Sequence, residues 1–313
     1  MTEMRPIAKD IYHVAVALAL VLSILGLLTW SGIMSCEDVP GFCAVYEFFL
    51  GPPKTLIVFG DYVLGNPVLL GQELRNRSGA ATTNISQQNI DFVSSGNLKQ
   101  FNLVIVTRAR KIPTKTLKAF MEYVDAGGRL VWTGDAGAEI SSEDQYLYAD
   151  DVDVNAPHTL ISPWARKDVK EQQVVRFDRY ISVNYLGNYC DVRYEGRGCL
   201  TDQQIGPLVP EAGADHKLIY GIAYNLKLYG DFALSEDQGI GSTRVLSVDT
   251  QTLIRDVNSG REYGRVFPLI VASGIGEKIV YYAIPPELLA QPPMQYKLFI
   301  ENMYTGLLYG KNR

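Results

Sequence analysis

The chain has 313 residues, 47% of them hydrophobic and 20% charged, with a formal net charge of −5 and a pI near 5.4. This is a globular composition with an apolar bias, long enough for one large or two ordinary domains beside an anchor. It has no basic excess, so nucleic acid is not an expected partner.

Residues 1–10 form a short polar tail containing Arg5 and Lys9. Ile11–Met34 then contains no Asp, Glu, Lys or Arg. At a rise of ~1.5 Å per residue such a run crosses the hydrocarbon core of a bilayer. Trp30 falls where an interfacial aromatic anchor belongs, with Tyr12 and His13 at the near end. The run exceeds the ~7–15 residues of a signal-peptide core, and no Ala-x-Ala site follows it. Ile33-Met34-Ser35-Cys36 makes a poor lipoprotein box. The expectation is therefore a retained single-pass helix over 11–34, with the lipid bilayer as its partner. Arg5 and Lys9 precede it, and Glu37 and Asp38 follow it. The positive-inside rule then places the N-terminus in the cytoplasm and the rest of the chain outside the cell membrane. On that side Asn76-Arg77-Ser78 and Asn84-Ile85-Ser86 are glycosylation acceptor patterns.

Residues 35–54 read as a stalk or collar, with an aromatic-apolar run over 45–50 and then Gly51-Pro52-Pro53. The four cysteines fall as two local pairs, Cys36 with Cys43 and Cys190 with Cys199. No C-x-x-C and no interleaved His makes a zinc pattern, so no metal is expected. In an oxidising compartment the pairs predict two local disulfides.

Thr55–Phe59 is the first predicted core strand, Pro67–Leu74 supplies a helix, and 84–93 contains the next strand. The centre of the chain is 101–139. Leu103–Val106 is a short apolar, β-branched run of the kind buried on both faces of a sheet. After Pro113, residues Leu117, Phe120, Met121 and Val124 make an amphipathic stripe, and Gly127-Gly128 stops that helix. Arg129–Thr133 returns as a strand and ends in the small-residue turn Gly134-Asp135-Ala136-Gly137-Ala138-Glu139. Strands alternating with helices predict a doubly wound, mostly parallel sheet. From about 140 to 242 the pattern loosens, which predicts a β-rich insertion in a domain spanning 55–313. There Gln173–Asn184 alternates like a hairpin or edge strand. Thr243–Val248, Phe267–Ala272 and Glu277–Ile284 are later strands, and Gln295–Leu308 is the terminal helix.

Asp61, Arg108, Asp135 and Glu139 all lie at carboxyl ends of predicted strands, where α/β proteins place their sites. Paired carboxylates suit general acid–base work on a glycan or the binding of a divalent cation. Alternatively, Asp135 and Glu139 cap a following helix. The acidic residues Glu143, Asp144, Asp150, Asp151 and Asp153 lack the spacing of a calcium loop and read as a solvated loop. No dinucleotide fingerprint, phosphate loop or nucleophile elbow around a serine is present, so no cofactor is expected.

The order of these motifs resembles the class I glutamine amidotransferase-like superfamily. The landmarks are a first strand ending in Gly60-Asp61, the strand Asn102–Thr107, the Ala126-Gly127-Gly128 helix stop and the Gly134–Glu139 turn. Asp215–Ile222, Phe267–Val271 and the closing 276–289 segment with Glu301-Asn302 continue the likeness. The flavour is that of the non-catalytic branch, as in transporter-accessory, intraflagellar-transport and trehalose-utilisation-type domains. The resemblance implies a flavodoxin- or amidotransferase-like sheet. It also implies that the family's nucleophilic Cys falls on Asp135. Only His158 and His216 lie outside the apolar segment, and the place of the family's His-x-Glu reads Ile284-Pro285-Pro286-Glu287. Glutaminase chemistry is therefore not expected. The functional expectation is a non-catalytic, membrane-anchored accessory or scaffolding subunit of a membrane or envelope assembly, with other membrane or envelope proteins as partners. The alternatives are an envelope glycan hydrolase or carbohydrate-binding domain using Asp135 with Asp61 or Glu139, and a ligand sensor reporting through its helix.

Overall fold

The computed structural model describes residues 6–30, 39, 41–42, 45, 51, 53–60, 64–77, 84–142, 144–148, 162–168, 170, 174–194, 199–239 and 241–308. Cys36, Cys43, Asp61, Glu143, Asp150, Asp151 and Asp153 lie outside the described residues. Helix α1 (Pro6–Trp30) carries a stretch, Asp10–Leu28, of mean hydropathy 2.5 with no buried side chains. By length and composition α1 can cross a membrane.

Strands β1 (Lys54–Phe59), β2 (Asn84–Asn89), β3 (Leu103–Val106) and β4 (Arg129–Thr133) alternate with helices α2 (Pro67–Arg77), α3 (Ser95–Leu98) and α4 (Thr114–Asp125). The apolar runs of β1, β3 and β4 are buried on both faces, the condition for a sheet covered by helices on each side. Helix α4 ends as the two glycines predict. Gly127 takes φ 93 and its N–H donates to Val124 O, while Gly128 N–H donates to Tyr123 O. Together these bonds close a Schellman cap.

The segment between β4 and the later strands holds β5 (Tyr146–Tyr148), β6 (Ala165–Asp168) and β7 (Val174–Arg176), which form a small antiparallel sheet. Helix α5 (Phe177–Ile181), β8 (Val183–Asn188) and α6 (Tyr189–Tyr194) follow. The expected hairpin or edge strand over 173–184 is thus interrupted by a turn of helix. Phe177 and Ile181, four apart, are both fully buried, and Phe177 packs on Trp132 at 4.6 Å between ring centroids. Tyr180 packs on the same side and stacks with Phe177, so the apolar positions follow the i, i+3, i+4 spacing of a helix and not the period of a strand, and Ser182 ends the turn at φ 55. The expected disulfide Cys190–Cys199 is present, with 5.5 Å between Cα atoms.

Strands β9 (Gln204–Pro210), β10 (Lys227–Tyr229), β11 (Ala233–Asp237), β12 (Ser242–Arg255), β13 (Glu262–Ser273) and β14 (Ile279–Tyr282) precede α7 (Pro286–Leu289) and α8 (Leu298–Leu308). The terminal helix begins later than its pattern predicts, because Gln295 takes φ 56, outside the helical region. The main sheet has nine strands in the order β10-β9-β12-β13-β14-β4-β3-β1-β2. Its β2-β1-β3-β4-β14 portion is parallel, the doubly wound arrangement expected. Strands β13, β12, β9 and β10 extend it antiparallel, and β9 and β10 come from within the looser region. The β8–β11 pair is tied to the carboxyl end of β14 by Ala233 N–H donating to Ala283 O. That tie brings β8 against the turn after β4.

Candidate functional site

The turn after β4 is closed from several directions. Trp132 and Trp164 both donate their indole N–H to Ala136 O, at 2.9 and 2.7 Å. Gly137 takes φ 69, and a Cβ there would meet Trp132 at 3.0 Å and Trp164 at 3.3 Å. Gly137 N–H donates to Ala109 O, and Glu139 N–H to Arg110 O, which stitches this turn to the loop after β3. Beneath it Arg166 is fully buried and donates to the carbonyls of Ile112, Pro163, Gly137 and Glu139. A guanidinium offers five donors in a fixed fork, which suits it to gather carbonyls of separate loops. Asp144 completes this layer, accepting from both the N–H and the hydroxyl of Thr114 at the start of α4. Asp144 is therefore not part of a solvated loop, because it satisfies helix donors that no local side chain reaches.

Asp135 is 1% exposed. Its carboxylate accepts from Asn188 Nδ2 at 3.1 Å and lies 3.7 Å from Arg110. Asn188 Oδ1 in turn accepts from the Tyr185 hydroxyl at 3.0 Å. Arg110 Nε stands 2.7 Å from Glu139 Oε1, an ion pair outside hydrogen-bond geometry, so Arg110 bridges the two carboxylates. Burial pushes the Asp135 carboxyl up, and Asn188 and Arg110 pull it back only in part. Burial also raises the Tyr185 hydroxyl well above its ordinary value, reinforced by the Asp135 charge. Arg110 is lowered by burial but raised on balance by Tyr185, Asp135, Glu139 and Asp191.

Asp231 joins the same electrostatic cluster. It accepts from Cys190 N–H and Phe232 N–H, yet burial holds it at about 6, with Asp191 and Asp135 adding repulsion. Its carboxylate lies beside the Cys190 and Cys199 sulfurs. These are joined in the disulfide and present no thiolate for a metal.

Of the four residues singled out from sequence, the structure joins Asp135 and Glu139 through Arg110. Neither caps a helix, because β4 runs into tight turns and β5 instead. Arg108 is exposed at the end of β3 with φ 51, and its side chain makes no ion pair among the described residues. Its backbone instead ties to Leu64 O and Gly60 N. Asp61 lies outside the described residues. Sequence reasoning missed Arg110, Tyr185, Asn188, Asp231 and the Arg166 hub. It also missed Glu287, which is fully buried and accepts at Oε1 from Asn66 N–H and Thr107 Oγ1, both at 2.8 Å. Glu287 Oε2 has no hydrogen-bond partner, and burial raises the acid to about 6. Only the position of Glu287 straight after a buried strand and a Pro-Pro break hinted at it.

The strand order β2-β1-β3-β4-β14 and the sealed turn at the carboxyl edge define an α/β domain of amidotransferase-like fold. No family model matches the chain, and no curated protein matches it. Among solved structures it is similar to a ThuA-like protein from Bacteroides uniformis ATCC 8492. That match has 15% identity and a TM-score of 0.52, and covers 82% of this chain and 92% of that one. It is also similar to a β-galactosidase from Rahnella sp. R3, at 12% identity and TM-score 0.48 over 83% of this chain and 32% of that one. The glutaminase domain of CTPS from Trypanosoma brucei with bound acivicin matches at 9% identity and TM-score 0.41, over 83% and 95%. At these identities the likeness is one of fold.

Proposed function

We propose that this chain is a non-catalytic, membrane-anchored domain that serves as an accessory or scaffolding subunit of a membrane or envelope assembly. One observation carries the reading: the position that the family resemblance assigns to the nucleophile is Asp135, buried under Asn188 and tied to Arg110. A nucleophile elbow has to present its side chain to a substrate. Here the side chain faces inward, and the turn is covered by two tryptophans and the β8 segment. In this reading α1 spans the membrane with the N-terminus cytoplasmic, and the domain is extracytoplasmic. Exposed Asn76 and Asn84 are then available to glycosylation, and the Cys190–Cys199 bridge suits the compartment. The test is the mass of the native particle. Extracted in a mild detergent, the chain should sediment in a complex well above its own 34.8 kDa, with fixed stoichiometry between preparations. A free monomer under every mild condition overturns the reading.

A second reading is favoured by one observation. Asp231, which burial raises to about 6, feels repulsion from Asp191 and Asp135, so several acids share one cluster. Clustered carboxylates suit general acid–base work on a glycan. Under this reading Asp231→Asn abolishes glycan binding or hydrolysis while the melting temperature holds. Unchanged behaviour on envelope glycans removes it.

A further inference from the structure

The amino edge of the parallel strands carries features that the site at the opposite edge does not use. The turn between β13 and β14 projects Ile275, which at 94% exposure stands free of the core. It is held out by Gly274 and Gly276, at φ 75 and 70, with the turn closed by Glu277 N–H donating to Gly274 O. Basic residues follow along this edge, on the β14, β4, β3 and β1 side of the turn. Lys278 and Arg129 immediately precede Ile279 and Leu130, which pair in register between β14 and β4. Lys54 opens β1 beside Asn102, whose N–H it accepts at 2.8 Å. Exposed Lys99 lies in the turn leading into β3. Lys217 reaches the Gly276 carbonyl at 3.3 Å, and the same residue packs on Gly306 near the end of α8.

The acids at this edge are largely engaged. Glu277 pairs with His216 at 3.2 Å and with Lys217 at 3.0 Å, and the His216 bond holds it down to about 2. Asp125 takes the Tyr180 hydroxyl on both oxygens, and Glu122 is exposed. A basic edge on a chain of net charge −5 is a local asymmetry, with the exposed Ile275 at its β13–β14 end. The stalk from α1 enters the domain at Lys54, on this same edge.

We infer that the amino edge is a docking surface for the bilayer that α1 crosses: Ile275 enters the interfacial layer while Lys54, Lys99 and Lys278 meet anionic phospholipid headgroups. Interfacial insertion of an apolar tip flanked by cations follows the physics of peripheral membrane contacts. The candidate site at the carboxyl edge is then turned away from the membrane. This inference rests on the reading of α1 as a span.

The test uses the full chain reconstituted in vesicles of phosphatidylcholine with or without phosphatidylglycerol, some lipids brominated in the acyl chain. Two variants are compared with wild type, Ile275→Trp and Phe92→Trp. Phe92 is 72% exposed and follows β2 at the opposite edge. In anionic vesicles the emission added by Ile275→Trp should be blue-shifted and quenched about twofold by the bromines, at the shallow depth of an interfacial contact. The emission added by Phe92→Trp should be unaffected. Adding Lys54→Glu and Lys278→Glu should abolish the quenching at 275. If the indole at 275 is quenched no more than that at 92 while the chain resists alkaline carbonate extraction, the docking inference is overturned and the anchor stands. If carbonate releases the chain, the anchor reading itself fails.

Discussion

Asn188 donates to the buried Asp135 carboxylate across 53 residues of sequence. One partner lies in the turn after β4 and the other on β8, and the bond closes the carboxyl edge of the sheet, where open α/β sheets place their sites. Asp135→Ala leaves Asn188 and Arg110 facing an emptied site and should cost about 1–3 kcal/mol. Asp135→Asn should cost less, since the amide keeps a side-chain oxygen to accept from Asn188 and avoids the burial that disfavours a charge there. Chemical denaturation of both variants checks the order. A silent Asp135→Ala would show that the contact contributes nothing to the fold.

Arg166 offers a sharper case. It is buried, and four backbone carbonyls accept its protons. Arg166→Met strands those carbonyls and should destabilise by about 3 kcal/mol or more. Arg166→Lys should rescue little, because an ammonium lacks the planar fork. Melting curves of the two variants decide this, and full rescue by Lys would reduce Arg166 to a mere charge.

At the end of α4 the two glycines differ in kind. A Cβ on Gly128 would lie 2.3 Å from the ring of Tyr123. That ring is buried and anchored by its hydroxyl to Phe101 O and Arg129 O. Gly127 has open space but φ 93. Gly127→Ala should cost about 1–2 kcal/mol from backbone strain alone. Gly128→Ala should cost more, about 2–3 kcal/mol, since a packed ring must move. Equal costs would contradict this assignment.

Glu287 makes stability depend on pH. Burial raises its acid from 4.5 to about 6 in the folded state. The folded protein therefore holds the proton more tightly than the unfolded chain. That contribution is complete below about 4.5 and is lost as pH rises through about 6. Relative to Glu287→Gln, wild type should lose about 2 kcal/mol between pH 4.5 and 7.5. Comparing the two slopes cancels any fixed effect of the amide. Parallel pH profiles would refute the assignment.

Much of the scaffold was legible in the sequence. The runs at 103–106 and 129–133 appear as buried strands, and the stripe beginning at Leu117 appears as a helix closed at Gly127. These patterns are local, set by the period of burial and by the freedom of glycine to reverse the chain. The Cys190–Cys199 bridge was legible for the same reason, since its partners are near in sequence. The helix at 177–181 was not: Phe177, Tyr180 and Ile181 stand at the helical i, i+3, i+4 spacing, but five residues between two alternating runs are too few to outweigh the strand pattern around them. In the fold the ring of Phe177 is held against the buried ring of Trp132.

The candidate site divides along the same line. By itself the sequence determined that Asp135 stands at the carboxyl end of a buried strand, where open α/β sheets place their sites. Only the tertiary structure decided what surrounds it: Arg110 from the loop after β3, Asn188 and Tyr185 from β8, and Arg166 beneath the turn. None of these is linked to Asp135 by a period or a spacing. They meet because the β8–β11 pair docks on β14 and because buried donors and acceptors must find partners wherever the packed chain provides them.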